Sequence, residues 1–275
     1  MLDFIKVEGL GNDFLLLDLR DEATIDLEAL AVLARRLCDR RRGVGGDGLL
    51  LVMATTNERA LARMIVINHD GSRPEMCGNG IRCVALHLAL ETGAQDFVVD
   101  TDAGALRCEV QALNSSARAG QVRVSMGPAR RGGERRPEAA PTRVFAAVSM
   151  GNPHAVTFVD ARDDPEVLAR TLGPGVERDP LFPDRTNVEF VRQEADGTLT
   201  TWVWERGCGI TDACGTGACA TAAAAVDAGL ARPETPIRVA LPGGPLTIVV
   251  PRATDADVIM TGPAREVFRG AVPWA

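Results

Sequence analysis

Two cysteines in matching turns are the residues best suited to chemistry in this chain of 275 residues. Cys77 lies in PEMCGNG at 74–80 and Cys214 in TDACGTG at 211–217, so each begins a Cys-Gly-x-Gly motif. An apolar segment follows each motif, which predicts a helix that begins at or just after the cysteine. Backbone N–H groups at a helix N-terminus bind anions and stabilise a thiolate, and glycine lets a ligand approach closely. The motifs therefore predict two acid/base thiols, each with its pKa lowered by about 1 unit.

The chain is internally duplicated. Besides the cysteine turns, GLGNDFLLLD at 9–18 recurs as MGNPHAVTFVD at 150–160, and MGPAR at 126–130 recurs as TGPAR at 261–265. These features keep their order at offsets of 135 to 140 residues, a spacing that implies two similar domains rather than a short-repeat solenoid. Two such domains would supply one thiol for each face of a substrate carbon. Stereochemical inversion without a cofactor needs that pair of groups, one deprotonating and one protonating.

Hydrophobic periodicity predicts an α/β protein dominated by strands, with seven strands in each half. Helices are predicted at 27–40, 80–93, 165–173 and 217–229. The polar, Pro/Gly-rich segment 131–141 is predicted to be the crossing between the domains. The predicted domains are 1–128 with the tail 265–275, and 129–264.

Composition argues against several classes of partner. A formal net charge of −7 and a pI of about 5.1 disfavour nucleic acid and anionic membranes. The alanine-rich stretch near 218–231 is too short to span a bilayer, and the N-terminus lacks the pattern of a signal peptide. Seven cysteines, an odd number, fit a reduced compartment. A cytoplasmic protein that acts on a small molecule is therefore expected.

Cofactor and metal chemistry are disfavoured too. Lys6 is the only lysine and lies in a predicted strand, which excludes a pyridoxal-phosphate lysine and a P-loop. The cysteine spacings do not match a structural zinc site. GVGGDG at 43–48 follows a helix and precedes a strand, the reverse of a dinucleotide fingerprint, and predicts a tight loop. No cofactor and no metal are expected, and the cysteines outside the two turns are expected in the core: Cys38, Cys83, Cys108, Cys208 and Cys219. Cys208 belongs to the ERGCG loop, so a place close to the site is the alternative for it.

With these residues assembled, the chain resembles the diaminopimelate epimerases, which interconvert LL- and meso-diaminopimelate without a cofactor. The resemblance runs through nearly the whole chain in the motifs GLGNDF (9–14), NHDGS (68–72), MCGNGIRC (76–83), MGNPHAV (150–156), RTNVEF (185–190), ERGCG (205–209) and ACGTGACA (213–220). It implies two pseudo-symmetric domains, each a mostly antiparallel sheet wrapped around a central helix. It also implies a cytoplasmic homodimer that serves lysine and peptidoglycan precursor synthesis.

The resemblance assigns roles to particular residues. Cys77 and Cys214 become the acid/base pair, and their roles exchange with the direction of reaction. The substrate's reacting α-carboxylate would be held by Gly78, Asn79, Gly215 and Thr216. Its amino groups and remaining carboxylate would be bound by Asn12, Asn68, Asn152, Asn187, Glu205 and Arg206. His154 is a further candidate for lining the site.

The chain departs from the family pattern at three positions. Glu8 stands where the family often has His, Gly48 where some members have Gln, and Ile210 where Glu is common. None of these changes removes a catalytic group.

Two alternative functions remain open at this stage. One is a related two-thiol racemase that acts on proline or histidine, although Asn79 stands where proline racemases typically carry His. The other is a thiol redox protein whose two cysteines oxidise reversibly to a disulfide.

Overall fold

The computed structural model of the chain describes residues 1–22 and 24–273. Its helices are α1 (Leu27–Leu37), α2 (Gly78–Thr92), α3 (Pro165–Glu177) and α4 (Gly215–Asp227). Its strands are β1 (Leu2–Gly9), β2 (Asn12–Leu19), β3 (Gly48–Met53), β4 (Ala62–Asn68), β5 (Asp96–Thr101), β6 (Gly104–Asn114), β7 (Ala119–Ser125), β8 (Arg130–Arg135), β9 (Phe145–Ser149), β10 (Pro153–Phe158), β11 (Asn187–Gln193), β12 (Leu199–Glu205), β13 (Gly209–Ile210), β14 (Ile237–Leu241), β15 (Gly244–Val249) and β16 (Ile259–Val272). None of the described helices combines the length and apolar character needed to cross a membrane.

The chain divides into two compact units. Unit 1 is Met1–Val124 with Gly262–Ala275, and unit 2 is Ser125–Thr261. The predicted domain boundaries follow residues 128 and 264. They lie four and three residues, respectively, on the C-terminal side of the boundaries in the structure. Residues 274 and 275 of the predicted tail lie outside the described residues.

In unit 1 a ring of strands surrounds α2. Antiparallel pairing joins β1 to β2, β3 to β4, and β5 through β6 to β7, while β2–β3 and β4–β5 are parallel. The two parallel pairs are the ones whose connections contain a helix, α1 and α2 respectively, as a parallel crossover requires. Strand β16 closes the ring by pairing with both β7 and β1. Every residue of α2 from Gly78 to Ala89 is buried, so this is the central helix of the unit.

Unit 2 repeats the same order of pairings around α4. Strands β9–β10, β11–β12 and β14–β15 are antiparallel, while β10–β11 and β12–β14 are parallel with α3 and α4 in their connections. Every residue from Gly215 to Ala225 is buried. The repeated order confirms the fold predicted from the sequence: a duplicated α/β chain, mostly antiparallel, with a central helix in each half.

Strand β3, next to the central helix of unit 1, is buried on both faces. In unit 1, Leu49 and Leu51 of β3 belong to the apolar cluster that α1 covers. Leu50, between them, faces the other way: a Cβ added at Gly80 of α2 would lie 2.7 Å from its Cδ2. Since successive side chains of a strand point to opposite faces, β3 packs on two helices at once and is apolar throughout.

Strand β11 occupies the corresponding place in unit 2. Val188 and Phe190 join the cluster that includes α3, and Glu189 between them faces α4. A buried carboxylate therefore stands at a position that the duplicated fold makes apolar in the other half.

The prediction that the segment 131–141 forms the crossing between the domains is wrong. Residues 130–135 form β8, which pairs with β9 inside unit 2. The strand is almost wholly exposed and has a bulge near Gly133, which adopts a φ of 76°. An exposed edge strand tolerates polar residues and glycine, so its sequence has the composition of a loop. The predicted loop at 43–48 does connect α1 to β3.

A buried histidine ties α2 to the strands around it. His87 Nδ1 lies 3.0 Å from Glu266 Oε1 on β16, and its Nε2 lies 3.0 Å from Asp18 Oδ2 on β2. Burial alone would lower the pKa of His87, but hydrogen bonds to the two carboxylates outweigh it and raise that pKa. Burial also disfavours the charged form of Glu266 and would raise its pKa. Hydrogen bonds from His87 and Arg118 outweigh this effect and lower the pKa of Glu266 to about 2. These opposed shifts indicate an imidazolium held between two carboxylates.

Replacing His87 by Gln should destabilise the protein in a pH-dependent way. A raised His pKa stabilises fully below its unfolded value of about 6.5, and that contribution is lost as pH rises through the folded pKa. The lowered carboxylate pKa values add stability above about pH 4.5. Urea unfolding of His87→Gln should therefore show a loss of about 3 kcal/mol near pH 5.5, because a buried carboxylate loses its partner. The loss should be smaller at pH 9. The exposed His69, changed to Gln, serves as control, and an equal loss at both pH values would contradict the assignment.

Candidate active site

Both cysteines cap the central helix of their unit. Cys77 and Cys214 occupy the N-cap positions of α2 and α4 with extended backbone, at φ/ψ of −135°/113° and −121°/108°. In each turn the sulfur accepts a hydrogen bond of 3.3 Å from a backbone N–H three residues on, at Gly80 and Gly217. The predicted placement of both thiols at helix N-termini is confirmed. Each sulfur thus lies beside backbone N–H groups that can hold an anion.

In unit 1, hydrogen bonds join two of the predicted binding residues beside Cys77. Asn79, the second residue of α2, donates through Nδ2 to Oδ1 of Asn12 on β2. Arg82 donates to Asn79 Oδ1 at 3.0 Å and to the carbonyl of Gly78 at 2.9 Å. Arg82 is fully buried, so a cation lies within the second turn of the cysteine helix.

An acidic residue orients Asn12. Asp47 Oδ2 accepts from Asn12 Nδ2 at 3.1 Å and from the backbone N–H of Asp13 at 3.0 Å. Arg40 bridges the carboxylates of Asp47 and Asp13, and the single lysine, Lys6, is paired with Asp13. The sequence analysis missed Asp47 because it belongs to the glycine-rich loop that was excluded as a dinucleotide site.

The Asn68 side chain has a different hydrogen-bond partner. At the end of β4, its Nδ2 donates to Ser72 Oγ at 2.9 Å. Its register partner on β3 is Gly48, one of the three departures from the family pattern.

In unit 2 a chain of polar contacts leads to Cys214. Thr216 Oγ1 lies 3.5 Å from the Cys214 sulfur and accepts from Asn152 Nδ2 at 3.2 Å. Asn152 Oδ1 lies 3.0 Å from His154 Nε2, and His154 Nδ1 lies 2.6 Å from Glu189 Oε1. His154 and Glu189 are both fully enclosed. The sequence predicted three of these residues and His154 as a candidate, but not Glu189.

The remaining predicted residues of unit 2 surround the end of β12. Glu205 accepts from Thr211, and its charge acts on the Cys214 thiol. Asn187 donates to the carbonyl of Pro153 at 3.0 Å and accepts from the backbone N–H of Arg206 at 2.9 Å. The Arg206 side chain is exposed and donates to the carbonyl of Asp184, so its guanidinium lies at the surface of the unit.

The prediction that the helix terminus lowers the pKa of both thiols is wrong for Cys214. Burial raises the pKa of Cys214 well above its usual value, and the charges of Glu205 and Glu189 raise it further. Hydrogen bonds from Thr216 and Gly217 act in the opposite direction but do not outweigh burial. A helix terminus contributes at most about 2 kcal/mol, whereas full burial shifts a pKa by up to about 3–5 units. Cys214 is therefore a thiol at neutral pH, the form that can donate a proton.

All seven cysteines are thiols in the structure, with no disulfide among the described residues. Cys208 is exposed in the turn after β12, so its predicted place in the core is wrong; the other four predicted core cysteines are buried.

Comparison with known proteins bears on these two cysteine turns. A family model described as diaminopimelate epimerase matches residues 4–132 and 146–267, which include both cysteine turns. The chain belongs to the diaminopimelate epimerase family. Proteins named diaminopimelate epimerase are similar to it across nearly its whole length. The one from Desulfitobacterium hafniense is 42% identical over 98% of each chain, and the one from Moorella thermoacetica is 43% identical over 99% of each.

Solved structures share the fold of this family member at low sequence identity. A probable proline racemase from Agrobacterium radiobacter K84 has a TM-score of 0.76 at 16% identity and covers 100% of this chain and 94% of its own. A hydroxyproline epimerase from Agrobacterium vitis has a TM-score of 0.73 at 18% identity, covering 98% of this chain and 91% of its own. These likenesses confirm the fold.

Gly217 should not tolerate a methyl group. A Cβ there would lie 2.9 Å from Glu189 Oε1 and 3.2 Å from the Cys214 sulfur, both tighter than ordinary contacts. Alanine within a helix normally stabilises by about 1 kcal/mol relative to glycine, whereas overpacking a core costs about 1–3 kcal/mol. Gly217→Ala should therefore not raise Tm, and its kcat/KM should fall at least ~10-fold, because displacing a reacting group by about 1 Å is costly.

Ala218→Gly, one residue along the same helix, is the matched control. It should lower stability by about 1 kcal/mol and retain activity. A Gly217→Ala enzyme that is both more stable and fully active would show that the turn accommodates a methyl group, and it would contradict the prediction.

Proposed function

We propose that the protein interconverts LL- and meso-diaminopimelate by a two-thiol acid/base mechanism. The observation that carries this proposal is the pair of cysteines at equivalent helix N-caps within a member of the diaminopimelate epimerase family. One sulfur, as thiolate, removes the α-hydrogen, and the other, as thiol, protonates the opposite face of the same carbon. Each turnover therefore exchanges the protonation states of the two cysteines, which are restored by reaction in the other direction or by exchange with solvent.

Removing an α-hydrogen transfers negative charge to the substrate carboxylate. In the proposed mechanism, the backbone N–H groups at the starts of α2 and α4 stabilise that charge. Preorganised donors directed at a developing charge usually make the largest single contribution to catalysis. Gly78 and Asn79 supply this role in unit 1, and Gly215 and Thr216 in unit 2. All four are buried, so the donors act where water screens little.

The other end of the substrate carries a second amino group and a second carboxylate. We assign the carboxylate to Arg206, whose exposed guanidinium can grip it with two parallel hydrogen bonds. Glu205 and the asparagine side chains offer acceptors for ammonium groups. The asparagines in this proposal are Asn12, Asn68, Asn152 and Asn187.

The proposal places the protein in the cytoplasm, in lysine and peptidoglycan precursor synthesis, and as a homodimer. Val267 and Phe268, adjacent on β16, expose 49% and 48% of their surface, which supports self-association through unit 1.

Serine at either reacting position should nearly abolish epimerisation. A hydroxyl is a far weaker acid/base group than a thiol at neutral pH, so Cys77→Ser and Cys214→Ser should each lower kcat by about 10²- to 10⁴-fold. Cys208→Ser, which changes an exposed cysteine outside the proposed pair, is the matched control and should retain activity.

The same reaction followed in heavy water distinguishes two bases from one. With two thiols, the early product carries solvent deuterium at the inverted carbon while the remaining substrate carries none. Equal labelling of substrate and product from the first turnovers would indicate a single base and contradict the mechanism.

Substrate choice separates this proposal from a proline or histidine racemase. Turnover should be measured with LL-diaminopimelate, L-proline and L-histidine as parallel substrates. A site that binds polar groups at both ends should turn over diaminopimelate at least ~10⁴-fold more efficiently, because the others leave buried polar groups unpaired. Activity on proline or histidine but none on diaminopimelate would refute the substrate.

A further inference from the structure

The two half-sites differ at a pair of positions that the duplication makes equivalent. In unit 1, Phe14 of β2 is the register partner of Gly48 on β3, and Leu50 lies two residues beyond Gly48. In unit 2, His154 of β10 is the register partner of Asn187 on β11, and Glu189 lies two residues beyond Asn187. Phe14 and Leu50 thus correspond to His154 and Glu189.

The positions of Leu50 and Glu189 also match in what they touch. Each lies against the glycine three residues after the cysteine: a Cβ at Gly80 would meet Leu50 at 2.7 Å, and one at Gly217 would meet Glu189 at 2.9 Å. The residue that packs against the cysteine turn is apolar in unit 1, where it is Leu50, and ionisable in unit 2, where it is Glu189.

Stability does not explain the ionisable pair. Glu189 is fully buried, and its Oε2 has no hydrogen-bond partner among the described residues. A buried ionic pair is often no more stable than well-packed apolar residues of similar volume, and the same fold packs Phe14 and Leu50 at this place in unit 1. The His154–Glu189 pair in unit 2 therefore needs an explanation other than stability.

The hydrogen bonds beyond Glu189 have a defined direction. Asn152 Oδ1 is an acceptor only, so His154 Nε2 must carry a hydrogen to bond it at 3.0 Å. The opposite end of that amide, Nδ2, then donates to Thr216 Oγ1. Because the Thr216 oxygen accepts from Asn152, its own hydrogen is available to the Cys214 sulfur, 3.5 Å away.

In unit 1 a different acidic residue orients the equivalent asparagine, Asn12. Asn12 is oriented by Asp47, which accepts from its Nδ2, so its oxygen faces Asn79 on the helix. Asn152 has the reverse orientation and presents its NH₂ to Thr216, the counterpart of Asn79. The duplicated asparagines are thus turned in opposite senses by two different acidic residues.

We propose that Glu189 is a positioning residue for the reaction: it keeps the hydrogen of His154 on Nε2, which locks the Asn152 amide and directs the Thr216 hydroxyl toward Cys214. The function of this lock rests on the proposed epimerase activity. Glu189 acts by forming a hydrogen bond with His154 Nδ1 at 2.6 Å, so that the two residues together hold two hydrogens. One hydrogen lies between Glu189 Oε1 and Nδ1, and the other lies on Nε2, which donates to Asn152. Without Glu189, the neutral ring has a single hydrogen, which can lie on Nδ1 instead of Nε2. Nε2 is then an acceptor, and the Asn152 amide rotates to present its NH₂ to it.

The direction of the hydrogen bonds is measurable without substrate. The chain has only three histidines, so nitrogen-15 labelling of histidine gives a spectrum simple enough to assign with His69→Gln and His87→Gln variants. His154 Nε2 should have the chemical shift and one-bond proton coupling of a protonated ring nitrogen. A bare Nε2 in the wild-type protein would overturn the proposal.

A variant that copies unit 1 into unit 2 tests whether the pair is more than structural. Glu189→Leu alone should lower stability, because it leaves His154 Nδ1 buried without a partner. The double variant His154→Phe with Glu189→Leu recreates the Phe14 and Leu50 pair and should regain much of the lost Tm. Its kcat should nevertheless remain at least ~10-fold below wild type, with a smaller change in KM, because a misplaced reacting group lowers the chemical step.

Glu266→Gln is the matched control, since it disrupts the other buried His–Glu pair, in unit 1. It should lower Tm while leaving kcat close to that of wild type. A double variant that regains both Tm and wild-type kcat would overturn the proposal by showing a purely structural pair. If wild-type protein shows a protonated Nε2 but does not turn over diaminopimelate, the proposed function fails while the hydrogen-bond lock stands.

Discussion

The structure depends on one local arrangement, a cysteine that caps a helix buried among the strands of its unit. The sulfur accepts a backbone N–H three residues into the helix at 3.3 Å in both halves, which holds it beside the other N–H groups of the first turn. The close approach of strand side chains requires glycine at that third residue, Gly80 or Gly217. The central helix is buried, which limits the access of water to its first turn, so these few polar contacts control the chemistry of the sulfur.

Burial and the helix terminus act on Cys214 in opposite directions, and burial is the larger effect. The terminus and the Thr216 hydroxyl both favour a thiolate, but the loss of solvent and the two nearby carboxylates favour the thiol. The proposed mechanism has one acid and one base, so its two cysteines must differ, and the surroundings of Cys214 provide a reason for a difference. In unit 1 the nearest buried charge on the cysteine helix is the guanidinium of Arg82, five residues after Cys77; the corresponding residue in unit 2 is Cys219.

The duplication explains how this asymmetry can arise on one architecture. Both units use the same order of parallel and antiparallel pairings, so equivalent positions face the same neighbours. The backbone thus sets where a side chain points, and the residue type at that place sets the charge. Leu50 and Glu189 illustrate the point, since each is the residue of its strand that faces the central helix while its neighbours face the outer helix.

The sequence by itself determined the repeat, the positions of most strands and all four helices, the caps at both cysteines and the family. These features depend on local periodicity, on glycine and on motif order, which are present in the linear chain. It did not reveal β8, because an exposed edge strand has the composition of a loop. Only the tertiary structure decided the partners of Asn12 and Asn152 and the direction of the Cys214 pKa. Asp47 and Glu189 reach those groups through pairing between strands distant in sequence, and desolvation depends on everything packed around the sulfur.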